Sequence, residues 1–185
     1  MEERVKSSIE DTIKVLSDIS GNMASDITLA ASKMKESIKK GGKVVIFGNG
    51  GSAADAQHIA AELIGRFRKN RDSIPALALT TNTSILTSVS NDYGFKDIFS
   101  RQVSALVNPG DAVIAISTSG NSENIIEGIK KAREKNAYII GFTGESGGSM
   151  ADMVDLCLKV PSGVVSNIQE GHITIGHILC MLVEE

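Results

Sequence analysis

Apolar residues recur at three- and four-residue steps through residues 2–40 and then give way to short continuous runs. Val5, Ile9, Ile13, Leu16 and Ile19 form one stripe; Met23, Ile27, Ala30, Ala31, Met34 and Ile38 form a second. This spacing predicts two amphipathic helices, broken near Ser20-Gly21-Asn22 and stopped at Gly41-Gly42. Neither helix has a strand beside it in the chain, so the pair must pack on the side of the domain or on another subunit. From Lys43 onward, apolar runs alternate with helical patterns. Strands are predicted at Val44–Phe47, Ala76–Leu79, Ala112–Ile116, Ala137–Thr143 and Val154–Val160. Helices are predicted at Ala53–Lys69, Thr83–Ser90, Phe95–Leu106, Glu123–Lys135 and Ser166–Glu184. Continuous apolar strands are those covered by helices on both faces, and the alternation gives parallel pairing with right-handed crossovers. The reading is an α/β fold: a three-layer α/β/α domain with a five-stranded parallel sheet and an N-terminal helical pair. One domain spans residues 1–185, with the helices in 1–40 and the α/β core in 43–185.

Chemistry enters where two of these strands end. Val44-Val45-Ile46-Phe47 runs into Gly48-Asn49-Gly50-Gly51-Ser52 and then into an Ala-rich helix. Strand, glycine turn and helix in that order gather free backbone N–H groups and the positive helix end at one point, which suits a phosphate. His58 and Glu62, four residues apart, share one face of that helix, beyond the anion site. The second loop, Ser117-Thr118-Ser119-Gly120-Asn121-Ser122, likewise follows an apolar strand and opens a helix. Its hydroxyls could surround a phosphate dianion, or Asn121 or Ser122 could simply cap the helix. Two such loops at the carboxyl ends of parallel strands favour a ligand. Neither is a nucleotide motif. The first lacks Gly-Lys-Ser/Thr, its sixth position is Ala53 rather than Gly, and Thr80-Thr81-Asn82 stands where a ribose-binding acid would follow the second strand.

A third segment, Gln169 to His177, carries two of the three histidines beside a core-facing apolar stripe. On a regular helix Gln169 and His177 differ by about 80° and about 12 Å in height, so converging on one site needs long reach, an irregular helix start or different subunits. His172 points away from His177 and reads as structural. Asn91-Asp92-Tyr93-Gly94 reads as a turn and helix cap. Composition narrows the partners: with a net charge of −3 and no Lys/Arg cluster, nucleic acid is not expected. Cys157 and Cys180 have no metal-type spacing and read as buried reduced thiols. There is no signal-peptide core and no apolar run near the ~20 residues that span a bilayer, so no membrane association and a cytoplasmic location are expected.

Together these segments resemble the sugar isomerase (SIS) domain and, within it, the bacterial phosphoheptose isomerases. The motifs are Gly48-Asn49-Gly50-Gly51-Ser52-Ala53-Ala54-Asp55-Ala56-Gln57-His58 with Glu62, Leu79 to Thr87, Asn91-Asp92-Tyr93-Gly94, Ser117 to Ser122, and Ile168-Gln169-Glu170 with Gly176-His177. The resemblance implies interconversion of sedoheptulose 7-phosphate and D-glycero-D-manno-heptose 7-phosphate, for lipopolysaccharide core or capsule. It implies substrate contacts at Asn49, Gly50, Gly51, Ser52, Glu62, Asn91, Asp92, Ser117, Thr118, Ser119, Ser122 and Gln169, with Glu62 and His177 catalytic. It also implies zinc held by His58, Glu62, Gln169 and His177, and a homotetramer with active sites at subunit boundaries.

Ketose–aldose isomerisation moves a proton between two carbons through an enediol, with a second group managing the oxygen protons. Glu62 and His177 suit this as carboxylate and imidazole, while zinc would act as a Lewis acid on the carbonyl. Which of the two takes the carbon-bound proton stays open, since a carboxylate locked on metal is a poorer base. Two alternatives compete. One is a non-catalytic SIS protein, similar to the one that associates with the bacterial replication initiator, which lacks the Glu and His pair. The other is an SIS enzyme for a different phosphosugar.

Overall fold

The computed structural model describes residues 1–185. Helices α1 (Glu2–Asn22) and α2 (Ala24–Lys39) precede an alternating run: β1 (Val44–Gly48), α3 (Gly51–Ile64), β2 (Ala76–Ala78), α4 (Thr83–Tyr93), α5 (Ile98–Leu106), β3 (Ala112–Ile116), α6 (Glu123–Glu134), β4 (Tyr138–Gly144), β5 (Leu156–Val160) and α7 (Val165–Val183). The five strands form one sheet in the order β2-β1-β3-β4-β5, parallel throughout.

Alternation along each strand feeds two cores. Val44, Ile46, Ile114 and Phe142 pack under α2, α3 and α7, while Val45, Phe47, Val113 and Ile139 pack under α5 and α6. With helices on both faces, the strand residues are apolar without a polar side, as the continuous runs predict. The chain leaves β1 for β2 on one side and reaches β3 on the other. The carboxyl ends of β1 and β3 therefore flank the switch point where open α/β sheets form their crevice.

Several expectations shift. Helix α1 runs through Gly21 to Asn22 and the joint is Met23, whose buried side chain anchors it. Helix α2 takes the domain side, one of the two places expected for the pair: Ile27, Ala30, Ala31 and Met34 share the core with Ile46. The α1 stripe divides. Ile19 is buried and Leu16 packs partly buried beside it, with Val15 outside the predicted stripe also buried, but Val5, Ile9 and Ile13 remain 55–59% exposed. Helix α3 ends at Ile64 rather than Lys69, because Gly65 leaves helical geometry at ψ −131°. Asn91 and Asp92 lie in the last turn of α4 instead of a break, and Gly94, at φ +100°, ends that helix.

Candidate active site

The two loops at the switch point are built largely from backbone. Gly50, at φ +56°, turns the chain from β1 into α3 in a conformation that favours glycine. The amides of Gly50, Gly51 and Ser52 meet no protein acceptor, at the positive end of a fourteen-residue helix. In the second loop the Ser117 amide bonds to the Phe142 carbonyl, which ties the loop to β4, and the amides of Thr118, Ser119 and Ser122 meet no protein acceptor. Ser122 stands at the N-cap of α6 but caps nothing. Its hydroxyl lies 3.1 Å from that of Ser117, inside the loop. Asn121 does not cap α6 either; its Oδ1 accepts from the amide and hydroxyl of Ser149. Gly120, at φ +67°, packs so tightly on Gly147 that a Cβ would strike the Gly147 carbonyl.

A reciprocal amide pair joins the loops. Asn49 Nδ2 donates to Asn124 Oδ1 at 2.8 Å and Asn124 Nδ2 donates back to Asn49 Oδ1 at 2.9 Å. Asn49, expected as a substrate contact, thus spends part of its amide on a residue the motif reading passed over. The sequence signal was modest: one polar residue in the first turn of α6, which proves 98% buried, at 2% exposure.

The candidate acid–base side chains come from two helices. At 100° per residue, positions 51, 55, 58 and 62 of α3 fall on one stripe, and that stripe faces α7. Gly176 of α7 lets the helices close up, since a Cβ there would lie 2.7 Å from Ile59. At this approach His58 Nε2 stands 2.9 Å from His177 Nε2, so one imidazole donates to the other, and Glu62 Oε1 is 3.5 Å from His58 Nε2. Phe67 stacks on the His177 ring at 5.5 Å and 12°. Behind the pair, burial pushes the Cys180 thiol up to about 12, with the Glu62 carboxylate adding to the shift, so it stays protonated and inert. Asp55 shares the stripe. Burial raises its carboxyl to about 6 against the opposing pull of His58, and its Oδ2 has no hydrogen-bond partner. Phe67 did not stand out in the sequence, because the helix reading ran past Gly65, and Asp55 lay within the quoted motif without an assigned role.

Not every expected residue joins. Gln169 lies against Gly51 at the start of α3, so it faces the first loop rather than the imidazole pair two turns along. Asn91 Nδ2 donates to Asp92 Oδ1; both are exposed and neither bonds to another candidate residue. His172 is fully buried, bonds to the Thr143 carbonyl, and is held neutral by burial down to about 4. Cys180 is buried but Cys157 only partly, and both are free.

As these side chains stand, no three His, Cys, Asp or Glu groups converge in metal-ligand geometry. The donor set nevertheless fits zinc. Imidazole and carboxylate are donors that zinc takes, and His58 Nε2 lies 2.9 Å from His177 Nε2 and 3.5 Å from Glu62 Oε1. Gln169 is not beside them.

A family model described as the SIS domain matches residues 9–144. The chain is similar to a phosphoheptose isomerase of Rhodospirillum rubrum, at 57% identity over 89% of this chain and 88% of that one. A phosphoheptose isomerase of Aquifex aeolicus is 54% identical over 100% and 97%. Among solved structures, the phosphoheptose isomerase of Neisseria gonorrhoeae superposes with a TM-score of 0.94 at 41% identity, covering 99% of this chain and 98% of that one.

Proposed function

The chain belongs to the SIS domain family, in its phosphoheptose isomerase branch, and from that membership we propose how its residues interconvert sedoheptulose 7-phosphate and D-glycero-D-manno-heptose 7-phosphate. The observation that carries the reading is the meeting of His58, Glu62 and His177 on two helices, on the same α3 stripe as an amide-rich loop at the switch point.

The phosphate binds to the amides of Gly50, Gly51 and Ser52 and to the Ser117–Ser122 loop. Along α3, Glu62 lies about 16 Å from Gly51, and its side chain leans back toward the helix start. Eight bonds separate the phosphorus from C1 of a seven-carbon sugar phosphate, about 10 Å when extended at about 1.2 Å per bond. A substrate anchored by phosphate at the loops and extended along α3 therefore points its carbonyl carbons toward Glu62.

Glu62 takes the proton from C1 of the ketose and returns it to C2, while His177 moves the proton between the two oxygens; the reverse order converts the aldose. His58 orients His177 through the 2.9 Å contact, and Phe67 holds the other face of the ring. Zinc, where bound, would be held by His58, Glu62 and His177 and would polarise the carbonyl as a Lewis acid.

Assembly into a tetramer is part of the same proposal. The Val5, Ile9 and Ile13 stripe on α1 is apolar, contiguous and exposed, and a second subunit would cover it. The acid–base cluster itself lies within one chain. Ile13→Asp should weaken the assembly in sedimentation, and a wild-type tetramer mass for that variant would remove α1 from the interface. A phosphorylated sugar as substrate fits a cytoplasmic enzyme, and no helix is long and apolar enough to cross a membrane.

The experiment that tests the function is turnover of sedoheptulose 7-phosphate against hexose and hexosamine phosphates, with and without added zinc. Selective turnover of the seven-carbon substrate is expected. Equal or better turnover of another phosphosugar would reassign the substrate, and binding with no turnover would leave a sugar-phosphate-binding protein.

A further inference from the structure

Arg71 stands in the irregular segment between α3 and β2, with only 14% of its side chain exposed. Its guanidinium closes the C-terminal end of α3. Nη2 donates to the carbonyl of Glu62 at 3.0 Å, and Nη1 donates to those of Leu63 at 2.9 Å and Gly65 at 3.3 Å. Its Nε faces Glu184 Oε2 at 3.4 Å, and the Glu184 carboxylate, at the end of α7, is 1% exposed. The other oxygen of Glu184 accepts the Arg68 amide at 2.9 Å. Helices α3 and α7 run parallel here, since Gly51 meets Gln169, His58 meets His177 and Ile59 meets Cys180. The negative end of α3 and a buried carboxylate from the end of α7 thus converge on one guanidinium.

This matters because Glu62 and His177 belong to different helices. Their separation depends on how far α3 slides along α7, and a misplacement of about 1 Å can cost about 10²-fold in rate. Arg71 grips the backbone of Glu62 itself on one side and, on the other, a residue two turns beyond His177. The segment it secures also carries Phe67, which stacks on His177. We propose that Arg71 is the positioning residue of the acid–base pair, tying the end of the helix that bears Glu62 to the end of the helix that bears His177. The proposal rests on the catalytic reading of those two residues. The phosphate loops lie at the opposite end of α3, so their grip on substrate does not depend on Arg71.

The test compares Arg71→Ala with Lys43→Ala, measuring kcat, KM and thermal midpoint at a temperature where both are folded. Lys43→Ala likewise strips a cation from a buried carboxylate, Asp111, at the amino ends of the inner strands β1 and β3. Arg71→Ala should lose kcat by about tenfold or more with KM within about threefold, while Lys43→Ala keeps wild-type kcat. Arg71→Lys, which retains a charge for Glu184 but cannot span three carbonyls, should recover only part of the loss. It also carries the test alone if Arg71→Ala does not fold. A kcat within twofold of wild type in the folded Arg71 variants, or the same kcat loss in Lys43→Ala, overturns the proposal. Glu62→Gln assayed alongside separates the two readings: normal turnover there removes the catalytic assignment itself, whatever Arg71 does.

Discussion

At the phosphate end of the cleft, Gly50, Gly51, Ser52, Thr118 and Ser119 present amides from two loops close in space and fixed by the ends of β1 and β3. At the reaction end, His58, Glu62 and His177 meet only because two helices more than a hundred residues apart in sequence pack side by side. The first end is held by the sheet and by a reciprocal Asn49–Asn124 pair. The second is held by close helix packing at Gly176 and by rings and charges beyond it. Backbone donors and loop hydroxyls bind charge, whereas proton transfer needs an acid–base pair at particular distances. The two ends should therefore fail in different ways.

The largest separation is expected at Glu62. Glu62→Gln is nearly isosteric and should lower kcat by ~10² or more with KM little changed, since it removes the base and leaves the phosphate loops intact. Steady-state kinetics checks this, and an unchanged kcat would make the reaction end no different from its surroundings.

Next in size is acid stability, which distinguishes the buried His172 of α7 from His177, the proposed acid–base residue. Free His172 would titrate near 6.5, but burial holds it neutral down to about 4 in the folded chain. Between these values only the unfolded chain takes the proton, so stability is lost as pH falls from about 6.5 to about 4, by up to about 3 kcal/mol. Denaturant titrations across this range should show that slope in the wild-type protein and a flatter one in His172→Gln.

At the phosphate end, Ser119→Ala should raise KM by about tenfold or more, at roughly 1.5–3 kcal/mol for a charge-assisted hydrogen bond, with kcat nearly kept. A collapse of kcat with normal KM would place the phosphate elsewhere. The smallest effect is expected from Asn124→Ala, which frees the Asn49 side chain without touching substrate. Losing this clasp should cost about 1 kcal/mol and raise KM severalfold. Isothermal titration with inorganic phosphate would show whether the loss lies in the anion site.

The same contrast explains what the sequence made legible. The strands and both loops could be read because their signals are local: apolar runs, glycine turns and clustered hydroxyls, each within a few residues. All five strands fall within two residues of their predicted starts and ends. The acid–base cluster was only half legible. His58 and Glu62 announce themselves at four-residue spacing, but pairing them with His177 required the resemblance, since nothing local tells that α3 lies against α7. Asn124, Phe67 and Arg71 were missed for the same reason: each works through a partner distant in the chain or past a helix end that Gly65 sets earlier than the apolar pattern suggests. The α1 stripe shows the reverse limit. Its periodicity is uniform, yet only its second half finds a core in this chain.

The most direct measurement follows hydrogen at the reacting carbon. With sedoheptulose 7-phosphate deuterated at C1, NMR would track loss of label to water alongside binding of the same sugar phosphate. If Glu62 is the base, the wild-type protein washes the label out during turnover, while Glu62→Gln binds with wild-type affinity and retains it. Label loss from Glu62→Gln at the wild-type rate would contradict the assignment, and with it the division of the cleft into a backbone end that binds and a side-chain end that reacts.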